Sequence, residues 1–242
     1  MEKIKRSNSL TECVYDQLIH EISQMKPGDN RLPSEDELAH TLGVSRATIR
    51  EALKNLAMRR LVSTVHGKGT FAHPAVLNVK NRLDVESDFI SMLEQQFPEV
   101  VVGQTWTSHS RLTDFAKKAF GSEDADAVTT RWIYEADGTI MLFGRYHILH
   151  KFITREPGEN DHYASLPDFS MHCMNSMIDY CAMYSIIKND KDASSVFRLS
   201  EVTPFLCWEE DIYDLDDQKV GVGEVFVHPD NISLSVVSKL NH

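Results

Sequence analysis

The chain has 242 residues, an ordinary 42% apolar share and a formal net charge of −11. That length allows one large or two moderate domains. No apolar run approaches membrane-spanning length, and the start M-E-K-I-K-R has no apolar stretch behind it, so neither a bilayer span nor a signal peptide is expected and the protein is read as cytoplasmic.

The acidic balance argues against nucleic acid for the chain as a whole, but the charge is unevenly spread. Residues 1–80 hold 12 basic against 9 acidic residues, a net +3, leaving 13 basic against 27 acidic residues and a net −14 for the rest. A mildly basic head on an acidic body is expected where only one part meets phosphate.

The first helix is predicted to start at Ser9, with Glu12 completing a capping box and Leu10, Val14, Leu18, Ile22 and Met25 forming its apolar stripe. Pro27-Gly28 ends it and opens the turn into Arg31-Leu32-Pro33. Ser34 and Glu37 make a second capping box; Leu38 and Leu42 share a face, and Gly43 supplies the backbone freedom that stops the helix. Ser45 then caps a third helix, in which Ile49, Ala52, Leu53 and Leu56 recur at i, i+3, i+4 and i+7. The opposite flank carries Arg46, Ala47, Arg50 and Lys54. Two short β-like runs follow around His66-Gly67-Lys68-Gly69. The pattern is a helix-turn-helix with a wing.

A helix split in this way can lie in a DNA major groove with its cationic side toward bases and phosphates. The same flank also fits a merely solvated helix face. The hairpin favours the groove, because two glycines beside a lysine and a histidine permit close approach to a phosphate backbone.

The blocks L-P-S-E-x-E-L-A, G-V-S-R-A-T-I-R-E-A-L and H-G-K-G-T-F, in this order and spacing, resemble the DNA-binding domain of the GntR family of bacterial transcription regulators, over about residues 8–73. The resemblance implies a winged helix-turn-helix over 1–73, with a second motif helix that reads the major groove and a wing tip that enters the minor groove. Ser45, Arg46, Ala47, Thr48, Arg50 and Lys54 would then act from the helix, His66, Gly67, Lys68 and Gly69 from the wing, and Arg31 and Ser34 from the approach to the motif. Two positions depart from the pattern: Asp36 stands where many members carry arginine, and Arg60 where glycine is usual.

Residues 74–87 lack a clean period and read as a linker. Asp88 to Gln96 is a short helix built on Phe89, Met92 and Leu93, and a strand is expected from Val100 to Ser110. Thr113 to Phe120 is a helix stopped by Gly121. Ala127 to Glu135 and Ile140 to Leu149 are strands joined at Ala136-Asp137-Gly138. Phe169 to Met183 is expected as one helix, with Met171, Met174, Ile178 and Cys181 in phase, and Asp192 to Leu199 as another. Phe205 to Asp214 and Lys219 to Val227 form a second hairpin, and Ile232 to Val237 a last strand. The fold class is therefore α+β, a winged helix-turn-helix followed by an α/β domain over 88–242 with a mostly antiparallel sheet.

This second half resembles the effector domain of the HutC-type branch of the family (the UTRA domain), which has a chorismate-lyase-like fold, through E-A-D-G-T-I, W-E-E-D-I-Y-D-L-D-D and P-D-N. An all-helical effector domain is the alternative, and the two hairpins argue against it. The resemblance implies a small molecule held between the sheet and its loops, such as a sugar phosphate, an organic acid or an amino-acid-like compound. Glu209 matches one ligand-contacting acid. The arginine positions of sugar-phosphate members fall on Trp132 and Tyr134, with Arg131 one step away, and a second acid falls on Gly144 beside Arg145. Either the pocket chemistry differs or the register is shifted by one residue. The candidate effector set is Arg131, Tyr134, Arg145, His147, Glu209 and Tyr213; a salt-bridged sheet surface is the bland reading of its charged members.

His147, His150, His162 and His172 match no zinc spacing, so no metal is expected. Cys13, Cys173, Cys181 and Cys207 lack finger or CxxC spacing and are expected reduced, Cys13 and Cys207 as small core residues. An enzyme using His147 or Glu209 as acid–base groups is the competing function. No nucleophile–base motif or phosphate loop supports it, so no catalytic residue and no cofactor is assigned. The favoured reading is a ligand-responsive regulator, acting as a homodimer on a palindromic DNA operator, with no membrane partner.

Overall fold

In a computed structural model of the chain, the described residues are 9–26, 28–80, 82–84, 88–108, 112–158 and 160–238. They divide into two compact units, a head of Met1–Ser87 with Leu234–His242 and a sheet unit of Asp88–Ser233.

The head contains α1 (Leu10–Gln24), α2 (Glu35–Leu42) and α3 (Arg46–Met58), then β1 (Val62–Val65) and β2 (Gly69–Ala72). Both expected capping boxes form, Ser9 with Glu12 and Ser34 with Glu37, and each satisfies backbone N–H groups that the first helical turn leaves free. Gly43 ends α2 at φ 65°, a left-handed conformation that a Cβ would strain. Val14, Leu18 and Ile22 of α1 pack with Leu38 of α2 and with Ile49, Ala52, Leu53 and Leu56 of α3 in one core, closed by Leu32, Leu61, Val62 and Ala72. Leu10, expected in the α1 stripe, is exposed because the helix begins beyond the core. Cys13, on the same turn, is exposed as well, and Cys207 is buried.

The segment after the wing is not featureless. Pro74–Asn78 forms a 3-10 turn whose Val76 and Leu77 pack against the head core. Arg82 is buried; its Nη1 donates to the Arg59 carbonyl at the end of α3 (2.8 Å), and its Nε and Nη2 donate to Asp84. The expected final strand over 232–237 is reduced to a bridge between Ser235 and Arg82, with Val237 N–H donating to Asp84 Oδ1. Residues 234–238 thus belong with the head, and the body expected over 88–242 stops at Ser233.

The sheet unit is built on six antiparallel strands in the order β3-β4-β5-β8-β7-β6: β3 (Val100–Ser108), β4 (Ala127–Ala136), β5 (Thr139–Leu149), β6 (Ile178–Lys188), β7 (Phe205–Asp214) and β8 (Lys219–Val227). Residues 109 and 110 of the expected third strand lie outside the described residues. The β4–β5 turn places Asp137 at φ 50° and Gly138 at φ 72°, the doubly left-handed pair that an Asp-Gly hairpin supplies. Helices α5 (Asp114–Phe120) and α7 (Lys191–Phe197) cover one sheet face, where Ala116 meets Val222, and Ala193 and Phe197 meet Phe143, Phe205 and Phe226. Helices α4 (Phe89–Glu94) and α6 (Leu166–Cys173) supply Phe89 and Phe169 to the aromatic layer on the other face.

The single helix expected over 169–183 is instead the end of α6 followed by β6. The chain leaves the helix at Met174, and the buried Ser170 Oγ accepts the Ile178 N–H that starts the strand. Ile178, Tyr180, Tyr184, Ile186 and Ile187 are β-branched or aromatic, and pairing with β7 outweighs their loose helical phase.

Candidate nucleic-acid interface and effector site

In the head, the Ser45 hydroxyl accepts the Thr48 N–H (3.1 Å) and meets the Thr48 hydroxyl at 2.9 Å, which sets the first turn of α3. Burial of Ile49, Ala52, Leu53 and Leu56 leaves Arg46, Ala47, Arg50 and Lys54 exposed on the other side. The arginines are not free. Arg46 Nε lies 3.0 Å from Asp36, and Arg50 Nη2 donates to Glu35 at 2.8 Å. The Arg50 bond holds the Glu35 carboxyl below its ordinary pKa, and Glu35 raises the Arg50 guanidinium in return. These pairs are solvent-exposed, so screening leaves them weak enough to exchange for phosphate.

The wing tip runs through His66, Gly67 and Lys68, all exposed, with Gly67 at φ 72° and the Lys68 N–H donating to Val65 O. Arg31 bridges to Phe71, and its guanidinium lies 3.1 Å from where a Cβ on Gly69 would stand. The glycine leaves that cation room against the hairpin. Ser34 is exposed beside it at the α2 cap.

In the sheet unit, strand alternation separates the expected effector residues. Arg131, Arg145, His147 and Glu209 occupy the face under α5 and α7, by the pairings Arg131 with Arg145, Arg145 with Glu224, and Glu224 with Glu209. Arg145 donates to Glu224 (2.9 Å), Asp190 (3.0 Å) and Asp192 (3.2 Å), and Arg131 donates to Asp192 (2.6 Å). Lys188 donates to Glu209 (3.0 Å) and to Glu224. Burial alone would lower the Arg145 pKa and raise that of Glu224, but the pairing outweighs it, so both are held charged. Carboxylates outnumber cations in this cluster, so it is no ready anion site. His147 Nδ1 meets the Thr129 hydroxyl at 2.7 Å and its Nε2 has no partner among the described residues; burial, then the nearby Arg145, lowers its pKa to about 4.

Tyr134 points to the opposite face and is not brought together with those residues. It sits with Trp132, Tyr146 and Trp208, under Phe89 of α4. Glu210 lies on this face at 3% exposure, and the side chain is not joined to any Lys or Arg among the described residues. Burial pushes its carboxyl up to about 8. Tyr213 stands apart, stacked on Tyr180 at 4.9 Å with Lys219 over its ring. Trp132, Tyr134 and Gly144 therefore share a face that Arg131, Arg145 and Glu209 do not.

Residues 10–72 match the family described as bacterial regulatory proteins, gntR family. The chain is 30% identical over 95 residues to the HTH-type transcriptional repressor YtrA of Bacillus subtilis strain 168, a match covering 37% of this chain and 68% of that protein. The chain belongs to the GntR family. It is also 38% identical over 55 residues to the mannosyl-D-glycerate transport/metabolism system repressor MngR of Escherichia coli K12, covering 23% of this chain but spanning only 22% of that relative's length. Among solved structures, the possible transcriptional regulator YydK from Bacillus subtilis matches with a TM-score of 0.64 over 96% of this chain and 99% of the other, at 15% identity, a likeness of fold.

This GntR-family chain carries side chains at its candidate sites that sequence reasoning missed. Asp36 stood out only as a departure, and its pairing with Arg46 needed α2 and α3 placed together. Asp190 and Asp192 reach Arg145 from the start of α7, with no local signal. Glu210 was legible: it falls in the period-2 row Leu206, Trp208, Glu210, Ile212, whose other members are apolar. No group of His, Cys, Asp and Glu among the described residues is arranged to hold a metal ion, and no described helix is long and apolar enough to cross a membrane.

Proposed function

We propose that this chain is a ligand-responsive transcription regulator of the HutC-type branch, working in the cytoplasm as a homodimeric repressor on a palindromic operator. The observation that carries the reading is the division of α3: one side is fully in the head core, while the other presents Arg46, Arg50 and Lys54 beside an exposed glycine wing. Ser45, Arg46, Ala47, Thr48 and Arg50 act at major-groove base edges; His66, Gly67, Lys68 and Gly69 approach the minor groove; Arg31, Ser34 and Lys54 lie where phosphates pass. On docking, phosphates and bases replace Glu35 and Asp36 as partners of the two arginines. One such helix per half-site requires two copies and a two-fold operator. The repressor names of YtrA and MngR support the direction of control. The sheet unit, of chorismate-lyase-like type, receives a small molecule that binds one conformation better than another and so shifts DNA affinity.

The test is footprinting on DNA selected by the purified protein. Arg46→Ala and Arg50→Ala should each abolish protection while leaving the helical CD spectrum unchanged, and affinity should fall steeply with added salt. Undiminished protection by both variants would refute the groove assignment.

A further inference from the structure

The two faces of the sheet differ in where their positive charge goes. Under α5 and α7, each cation is paired with a carboxylate and also lies over a ring: Arg131 over Phe143 at 5.1 Å, Arg145 and Lys188 over Phe226 at 5.6 Å. On the other face Trp208, Phe89, Tyr134, Trp132 and Tyr146 form a continuous series of rings, neighbouring centroids lying from 5.5 Å (Phe89–Trp208) to 6.4 Å (Trp132–Tyr134) apart. No Lys or Arg among the described residues lies over any of these rings.

Glu210 sits buried beside this series. A Cβ on Gly223 would lie 2.5 Å from the Tyr146 ring and 3.2 Å from Glu210 Oε2, so the glycine is what lets ring and carboxyl converge on one point. The ionisable groups beside that carboxyl, Tyr134, Tyr146 and Cys181, are themselves acids, held protonated first by burial and then by Glu210. An anion entering here would meet ring faces and a carboxyl. A cation would meet complementary partners on every side, since π faces attract positive charge and the carboxylate supplies the counter-charge.

We propose that the sheet unit takes an organic cation, an amine or quaternary ammonium, on this face, with Glu210 as counter-ion and Tyr134, Tyr146, Trp132 and Trp208 as walls. The proposal rests on the reading that this unit receives a small molecule, and it names the class. Phe89 stands in the way, stacked on Trp208 and edge-on to Tyr134, so the ligand enters by displacing it. Its helix, α4, is the first element of the sheet unit. Because burial keeps Glu210 protonated below about pH 8, capture of a cation at neutral pH releases a proton. The net −14 of residues 81–242 draws cations toward this part of the chain.

The experiment titrates the full-length protein with tetramethylammonium, choline and butylamine, and in parallel with inorganic phosphate, glucose 6-phosphate and citrate, by calorimetry in two buffers and by tryptophan fluorescence. At least one cation should bind with proton release and a change in Trp132 and Trp208 emission. Glu210→Gln should weaken it by about tenfold or more while the variant stays folded. Failure of all three cations, cation binding that survives Glu210→Gln, or anions binding in their place overturns the proposal. Operator affinity, measured with and without the bound cation, reports separately on the regulator reading: a cation that binds through Glu210 yet leaves DNA affinity unchanged sustains the site and refutes ligand response.

Discussion

Replacing Glu210 by glutamine isolates the cost of burying an acid among rings. In the folded protein the carboxyl holds its proton up to about 8, against an ordinary value of 4.5. Between those two values the unfolded chain binds fewer protons than the native one, so this group's contribution to stability falls as pH rises, and it is flat below and above the window. At about 1.4 kcal/mol per tenfold change in proton affinity, the ionised side chain destabilises the fold by roughly 5 kcal/mol above pH 8. Glutamine keeps the shape and cannot ionise. Wild type and variant should therefore unfold at similar urea concentrations near pH 4, and the variant should be several kcal/mol more stable at pH 8.5. Tryptophan fluorescence is the appropriate probe, since Trp106, Trp132 and Trp208, the 3 tryptophans of the chain, all lie in the sheet unit. Groups with the opposite pH dependence, Asp190 and Glu224 held low and His147 held neutral, are common to both proteins and cancel in the difference. A stability difference independent of pH would refute the reasoning.

Arg60 adopts φ 61°, the left-handed region, at the position where the family pattern usually has glycine. Arg60→Gly should stabilise the head by about 1 kcal/mol, seen as a higher helical melting temperature by CD. Asp36→Asn removes the carboxylate 3.0 Å from Arg46; because that pair is exposed, DNA affinity should rise by no more than about fivefold, measured by fluorescence anisotropy at fixed salt. Leu56→Ala, at a fully buried position of α3, should lower head stability by about 3 kcal/mol in a CD-monitored urea titration. Arg145→Met leaves Glu224 and Asp190 without their guanidinium and should cost the sheet unit about 3–5 kcal/mol at pH 7, less near pH 3 where the carboxylates take up protons; fluorescence-detected unfolding at both pH values distinguishes the two.

Much of the head could be read from the chain alone because its determinants are local. The Ser9 and Ser34 capping boxes, the left-handed Gly43 and the buried row of α3 each depend on residues no more than a few positions apart. The Asp137-Gly138 hairpin and the β7–β8 pair are legible for the same reason: turn chemistry and period-2 alternation act within a few residues.

Where a segment's conformation depended on a distant partner, only the folded chain settled it. Residues 178–183 are compatible with a helical period and become part of a strand because β7 offers them a ladder of backbone hydrogen bonds. Arg131 and Arg145 are cations in any conformation, yet whether they await an anion depends on Asp190, Asp192 and Glu224 arriving from elsewhere in the chain. Glu209 and Glu210 are neighbours of identical chemistry, and the pleat of β7 sends one to a lysine and the other among aromatic rings. Charge and periodicity are properties of the sequence; the dielectric around a charge, and the partner across the sheet, exist only once the strands are paired.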